Sequence, residues 1–143
     1  MKKKFLKRSI KGGVMAETAM VIPMLLGITL FIVEFGNVLY LINSLNQIAR
    51  YAARYAAVNP TASTTTLKSA SNASAILPDS SNLTLTVSPL PSGSRSFGDT
   101  LTVTVSYTYT PILNPYALLQ FSSLNTWSPT ISSKASTTVE VTQ

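Results

Sequence analysis

The sequence predicts an α+β protein in which one long N-terminal helix, part transmembrane and part projecting and amphipathic, packs on a small antiparallel β-sheet of about three strands. Three features carry that prediction. An uninterrupted apolar run lies near the N-terminus, helical periodicity continues past it, and the second half alternates apolar with hydroxyl residues.

The apolar run, Val14 to Val33, reads VMAETAMVIPMLLGITLFIV and carries one charge, Glu17. It meets the requirement of about 20 apolar residues for a helix that crosses a hydrocarbon core. A buried helix of a soluble protein is the alternative, but the Ser/Thr-rich remainder offers too little apolar surface to enclose it. A secretory signal peptide shares the basic start and apolar stretch. Its cleavage site would follow the run, and Glu34-Phe35-Gly36-Asn37 has no A-x-A pattern, so the segment is expected to be retained.

Charge fixes the expected orientation. The 143 residues carry 11 basic and 5 acidic side chains, a net charge of +6. Lys2, Lys3, Lys4, Lys7, Arg8 and Lys11 all precede the run, and from residue 13 onward the signs balance. Only Arg50 and Arg54 follow the run closely, so the positive-inside bias puts the N-terminus in the cytoplasm and the C-terminal domain outside, in a single-pass arrangement.

After Val33 the pattern becomes amphipathic. Ile32, Phe35, Val38, Leu39, Ile42, Leu45, Ile48, Ala49, Ala52 and Ala56 recur at three- and four-residue steps and predict the buried stripe. Helix from Val14 to Val58 would extend for about 65 Å at 1.5 Å per residue. Asn59-Pro60 stops it. Arg50 and Arg54 near its end suit the negative pole of the helix dipole; binding of lipid phosphates or a partner carboxylate is the functional alternative.

Thr61 to Ala75, with Leu67, Ala70, Ala73 and Ile76 at helical steps, is either a linker leading into a short helix or a solvated loop. Leu83–Val87, Leu101–Tyr109 and Thr130–Val141 are the predicted strands, with a turn region over Leu90–Gly98. Asn114–Phe121 is expected to form a short helix that, with Trp127, covers one end of the sheet. The resulting segments are a leader over 1–12, a transmembrane half over 13–34, a projecting helix over 35–58, a linker over 59–82 and a β-rich domain over 83–143.

Composition narrows function. The chain has no cysteine and no histidine, which excludes thiol nucleophiles, Cys/His zinc sites and His-based triads. The acidic residues are scattered, and no Gly-rich phosphate loop precedes a helix, so neither an enzyme nor a cofactor is expected. A basic face on the folded part is lacking, which argues against nucleic acid as a partner. Within the apolar run, Glu17 either reaches the interface or pairs with another group, because an intramembrane carboxylate is costly alone. Pro23 removes one backbone donor mid-span and predicts a kink, although transmembrane helices also tolerate proline without one.

Lys11-Gly12-Gly13-Val14-Met15-Ala16-Glu17 before an apolar run resembles the cleavage region of type IV prepilins. With Ile22-Pro23, Val33-Glu34-Phe35-Gly36 and the Ala49–Ala56 stretch ARYAARYA, the first 58 residues resemble TadE-like pseudopilins of the tight-adherence, or type IVc, pilus system. Thr18 departs from the family, whose members commonly carry an aromatic after the glutamate. The resemblance implies a minor pilin cut between Gly12 and Gly13 by a prepilin peptidase, with Glu17 fifth in the mature chain. It also implies packing against other pilins or pseudopilins through the N-terminal helix, an inner-membrane assembly platform as partner, and contact with membrane lipid. A role in a pilus serving adhesion and biofilm formation, or in its secretion apparatus, follows. An uncleaved bitopic protein displaying a small β-rich binding domain is the other reading of the same segments.

Overall fold

A computed structural model describes residues 11–89, 96–112 and 128–140. Helix α1 runs from Lys11 to Val58. The chain divides into two units between Gly36 and Asn37.

In the first unit α1 exposes nearly every described side chain, including Met20 at 81% and Phe31 at 70%. None of its most apolar 18-residue stretch is buried in the molecule. A core helix of a soluble protein would be covered, so this helix has the length and composition of a single membrane-spanning segment and no protein solvent of its own. Its hydroxyls are satisfied locally. Thr18 Oγ1 donates to Val14 O at 2.8 Å and Thr29 Oγ1 to Leu25 O at 2.9 Å, which removes two donors that lipid would otherwise leave unpaired. Phe31 and Phe35 stack one turn apart, with ring centroids 6.2 Å apart. Pro23 lies inside the helix.

The second unit is a three-stranded antiparallel sheet covered by the rest of α1. Strands β1 (Leu83–Ser88), β2 (Thr100–Thr108) and β3 (Thr130–Thr138) lie in the order β1-β2-β3. The strands match the predicted alternation. Leu83, Leu85 and Val87 stand opposite Tyr107, Val105 and Val103, placing the apolar side of both strands on one face. On β3, Ile131, Ser133, Ala135 and Thr137 continue that face but remain only half-buried. Ser133 Oγ donates to Asn46 Oδ1 of α1 at 2.6 Å, so a polar link closes this thinner side of the core.

The face that α1 lays on the sheet differs from the predicted stripe. Leu45, Ile48, Ala49, Ala52 and Ala56 are buried as expected, but Phe35, Leu39 and Ile42 are exposed. Leu41, Ser44, Ala53 and Ala57 are buried in their place. The buried face combines Leu41, Leu45 and Ile48 with Ser44 and five alanines, so small residues make up much of the surface that α1 presents to the core. A hydrophobicity count, which ranks alanine and serine low, does not single out this face.

Between α1 and β1 the stretch expected to be either a linker with a short helix or a solvated loop forms two short helices, α2 (Thr64–Ala70) and α3 (Ala73–Ile76). Ser63 caps α2, accepting from Thr66 N at 3.2 Å. Asn72, at φ 54°, takes the left-handed conformation between them that asparagine tolerates. Leu67, Ala73 and Leu77 join the core, and Lys68 Nζ donates to Leu83 O at 3.0 Å, fastening α2 to the start of β1.

The end of α1 corrects a second expectation. Its last turn contains no basic residue, so Arg54 and Arg50 stand too far back to act strongly on the helix dipole, which falls off within one turn. The terminal carbonyls are satisfied by hydrogen bonds instead. Asn59 N and Nδ2 donate to Tyr55 O at 2.9 and 3.1 Å, and Glu140 N donates to Ala57 O at 3.1 Å.

That last bond ties the chain's end to the stem. Strand β3 stops at Thr138, short of the predicted Val141, but the pairing carries on: Val139 N donates to Asp99 O and Gly98 N to Val139 O. Gly98 has φ of 88°, which a side chain would strain. The predicted Asn114–Phe121 helix and Trp127 lie outside the described residues.

Candidate functional site

Gly12 and Gly13 fall in the first turn of α1. A Cβ built on Gly13 meets no atom within 4 Å, so nothing inside the chain requires glycine there. Glu17 follows Gly13 by four residues, which puts both on one helix face about 6 Å apart along the axis. Glu17 is exposed and has no hydrogen-bond or ion-pair partner among the described residues. Pro23, six residues further on, falls on another face. The structure thus brings Gly13 and Glu17 together and leaves Pro23 apart from them.

Carboxylates bordering an apolar run need neutralisation from outside it or access to water. Glu34, at the other end of the run, is partly covered and has an interaction within the chain. Glu17 has neither cover nor a described partner, which singles it out as the acid available to another molecule.

In the second unit, the face of α1 turned away from the sheet exposes Leu39, Ile42, Asn43, Gln47, Arg50, Tyr51 and Arg54. A further feature lies at the unit's α1 entrance. Asn37, Tyr40, Asp79, Asn82, Tyr107 and Tyr109 line a cavity of about 260 Å³. Tyr40 Oη donates to Ile76 O at 2.8 Å, which positions its ring. No linear spacing announces this cavity, because its walls come from α1, the α3–β1 connection and the end of β2.

Asp79 is the one carboxylate in that wall. Its Oδ1 accepts from Ser81 N at 2.9 Å and its Oδ2 from Asn82 Nδ2 at 3.2 Å. Hydrogen bonds from Ser81, the side chain's first and the backbone's second, hold the Asp79 pKa below its usual 3.8, and the charge of Lys68 adds to this. The turn they stabilise is therefore fully supported above pH 3.8 and loses that support as the pH falls through the lower folded-state value. We expect the Ser81 amide resonance to titrate with a midpoint below 3.8; a midpoint at or above it would contradict the bonding described.

Among the described residues no three His, Cys, Asp or Glu side chains group so as to hold a metal. An apolar, uncovered helix that continues into the stem of a small α+β domain is the build of a membrane-associated, pilin-like subunit. Residues 12–54 match the family model described as TadE-like protein. Proteins of that family are structural and not catalytic. The match covers most of α1 and stops short of the sheet. No curated protein and no solved structure matches the chain.

Proposed function

We propose that the chain is a minor pilin or pseudopilin, processed by a prepilin peptidase between Gly12 and Gly13 and acting in assembly of a Tad-type pilus or its secretion apparatus. The observation that carries this reading is the uncovered apolar helix bearing Gly13 and Glu17 on one face, inside the stretch that matches the TadE-like family model. A basic leader of six positive charges holds the N-terminus in the cytoplasm. Removal of residues 1–12 takes those charges away and frees the Gly13 amine. The processed subunit then has balanced side-chain charge, with an acid one helical turn from its new N-terminus.

The chemistry that follows is electrostatic. A carboxylate and an ammonium in a low-dielectric site attract strongly, and Glu17 of one subunit is placed to meet the Gly13 amine of a neighbour. Such a pair sets the register between helices. Pro23 kinks the span and lets helices cross without parallel contact along their whole length. The sheet domain stands outside the cell, and the inner-membrane assembly platform, sibling pilins and lipid surround the helix.

Intact-mass analysis of the membrane-extracted protein, expressed with and without a prepilin peptidase, tests the processing step. The expected product begins at Gly13 and appears only with the peptidase. A chain that keeps residues 1–12 in its presence would favour an uncleaved bitopic protein displaying the sheet domain.

A further inference from the structure

We infer that the outward face of the sheet is a docking surface for neutral polysaccharide. The inference goes beyond the pilin reading and stands on the second unit alone, whether or not residues 1–12 are removed.

The face has one chemistry. Strand alternation turns every second side chain of β1, β2 and β3 away from the core, and each of these is serine or threonine except Lys134. The registers align them in rows across the sheet. Thr84, Ser106 and Ser132 form one, and Ser88, Thr102 and Ser136 another. Such rows repeat about every 7 Å along the strands, and neighbouring strands lie about 4.8 Å apart, so the hydroxyls form a two-dimensional lattice.

Few of these hydroxyls are used inside the chain. Thr102 Oγ1 and Ser136 Oγ share a bond of 3.2 Å, Ser136 Oγ also donates to Leu101 O, and Thr86 Oγ1 donates to Thr104 O at 3.4 Å. Among the described residues the other hydroxyls of the face have no partner within the chain.

Composition selects the partner. Soluble surfaces ordinarily carry about 25–35% charged residues, whereas this one carries Lys134 alone. Strand propensity favours threonine, but it equally admits valine and tyrosine and does not call for serine. A lipid surface or an acidic polymer would need clustered basic or apolar side chains, which the face lacks. A protein partner would need aromatic or arginine anchors, since serine and threonine are scarce among the residues that hold interfaces together. A hydroxyl both donates and accepts, and so does each hydroxyl of a neutral sugar. Single bonds of this kind are weak, but a repeating polymer engages several at once and gains by avidity.

The test incubates the full-length protein in detergent micelles with microcrystalline cellulose, chitin and cross-linked dextran as neutral polysaccharides and with calcium alginate as an acidic one. Retention on at least one neutral polysaccharide is expected to exceed that on alginate about 10-fold. Thr86→Val combined with Thr104→Val removes two hydroxyls without adding bulk or charge and should lower that retention about 5- to 100-fold. Thr104→Glu, whose carboxylate stands opposite Lys134 in the register and keeps the sheet paired, is a second variant with a loss expected. Thr104→Ser keeps the hydroxyl and should keep binding, as should Ile42→Asp on α1.

No retention on any of the three neutral polysaccharides, or equal or stronger retention on alginate, would overturn the inference. So would unchanged binding in both Thr104 loss variants, or loss of binding in Ile42→Asp, which would put the contact on another face. A dimer of wild type that the valine pair abolishes would overturn it too, since the face would then take a second copy of the chain. Processing at Gly13 is read separately by intact mass, so failure here leaves the pilin reading untouched.

Discussion

Ile48→Asp is expected to leave the sheet domain unfolded, whereas Ile42→Asp leaves it folded. Both residues are isoleucines on the same helix, six positions apart, and both belong to the apolar stripe that periodicity predicts. Ile48 is 0% exposed and Ile42 is 39% exposed. Ile48 sits among Leu45, Ala52, Val103 and Val105 in the core, so the substitution removes a buried side chain worth about 1.5–3 kcal/mol. It also forces a carboxylate into a site with no partner, at a cost of several kcal/mol more. A domain of this size has about 5–15 kcal/mol of stability in total, so the sum consumes most or all of it. At Ile42 the carboxylate remains in solvent and the change stays near ±0.5 kcal/mol. Protease resistance of the full chain in detergent micelles reads the difference. Resistance of Ile48→Asp equal to wild type would mean that another face of α1 covers the sheet.

That pair of variants also marks where sequence reading stops. The strands were legible because Leu-Thr-Leu-Thr-Val and Leu-Thr-Val-Thr-Val state a period of two without ambiguity, and their bounds agree with the structure to within one residue. The stop at Asn59-Pro60 was equally plain, since proline restricts the residue before it and α1 ends at Val58. The rotational phase of the projecting helix was not. A hydrophobicity count weights Phe35, Leu39 and Ile42 above Ala53, Ala57 and Ser44, but the smaller residues are the ones buried in the core. Capping of the helix end by Glu140 N depends on a contact spanning most of the domain, which no local pattern encodes.

The candidate site divides in the same way. Gly13, Glu17 and Pro23 are linear features, set by position along one helix, and a reader of the sequence finds them by spacing alone. The cavity of Tyr40, Asp79 and Tyr107 is assembled from three separated segments, and its residues look unremarkable one by one. Asp79 in particular reads as an ordinary turn residue, and that role is real: it caps the short turn before β1 through Ser81. Only the fold places it beside aromatic rings.

Glu17→Gln should leave membrane insertion intact and sharply reduce incorporation into complexes with sibling subunits. Glutamine is close in shape and removes only the charge, and a neutral side chain in the span eases insertion if it alters it at all. Within the chain the change disturbs nothing described, because Glu17 is exposed and unpaired there. The loss falls on a neighbour. If the Gly13 amine of one processed subunit pairs with Glu17 of the next, removing the acid strands an ammonium in a low-dielectric contact, at about 3–5 kcal/mol. An equilibrium shift of that size is at least 100-fold. Co-purification of tagged and untagged sibling subunits, each normalised to its amount in the membrane, measures it. The acetylated N-terminus offers an independent arm, since blocking the Gly13 amine strands the acid and should produce a like defect in a chain that keeps Glu17, and combining the two changes should cost less than either alone because no unpaired charge is then left. Normal incorporation of Glu17→Gln would remove the charge pair from the assembly reading, and additive losses would show that the acid and the amine act on different partners.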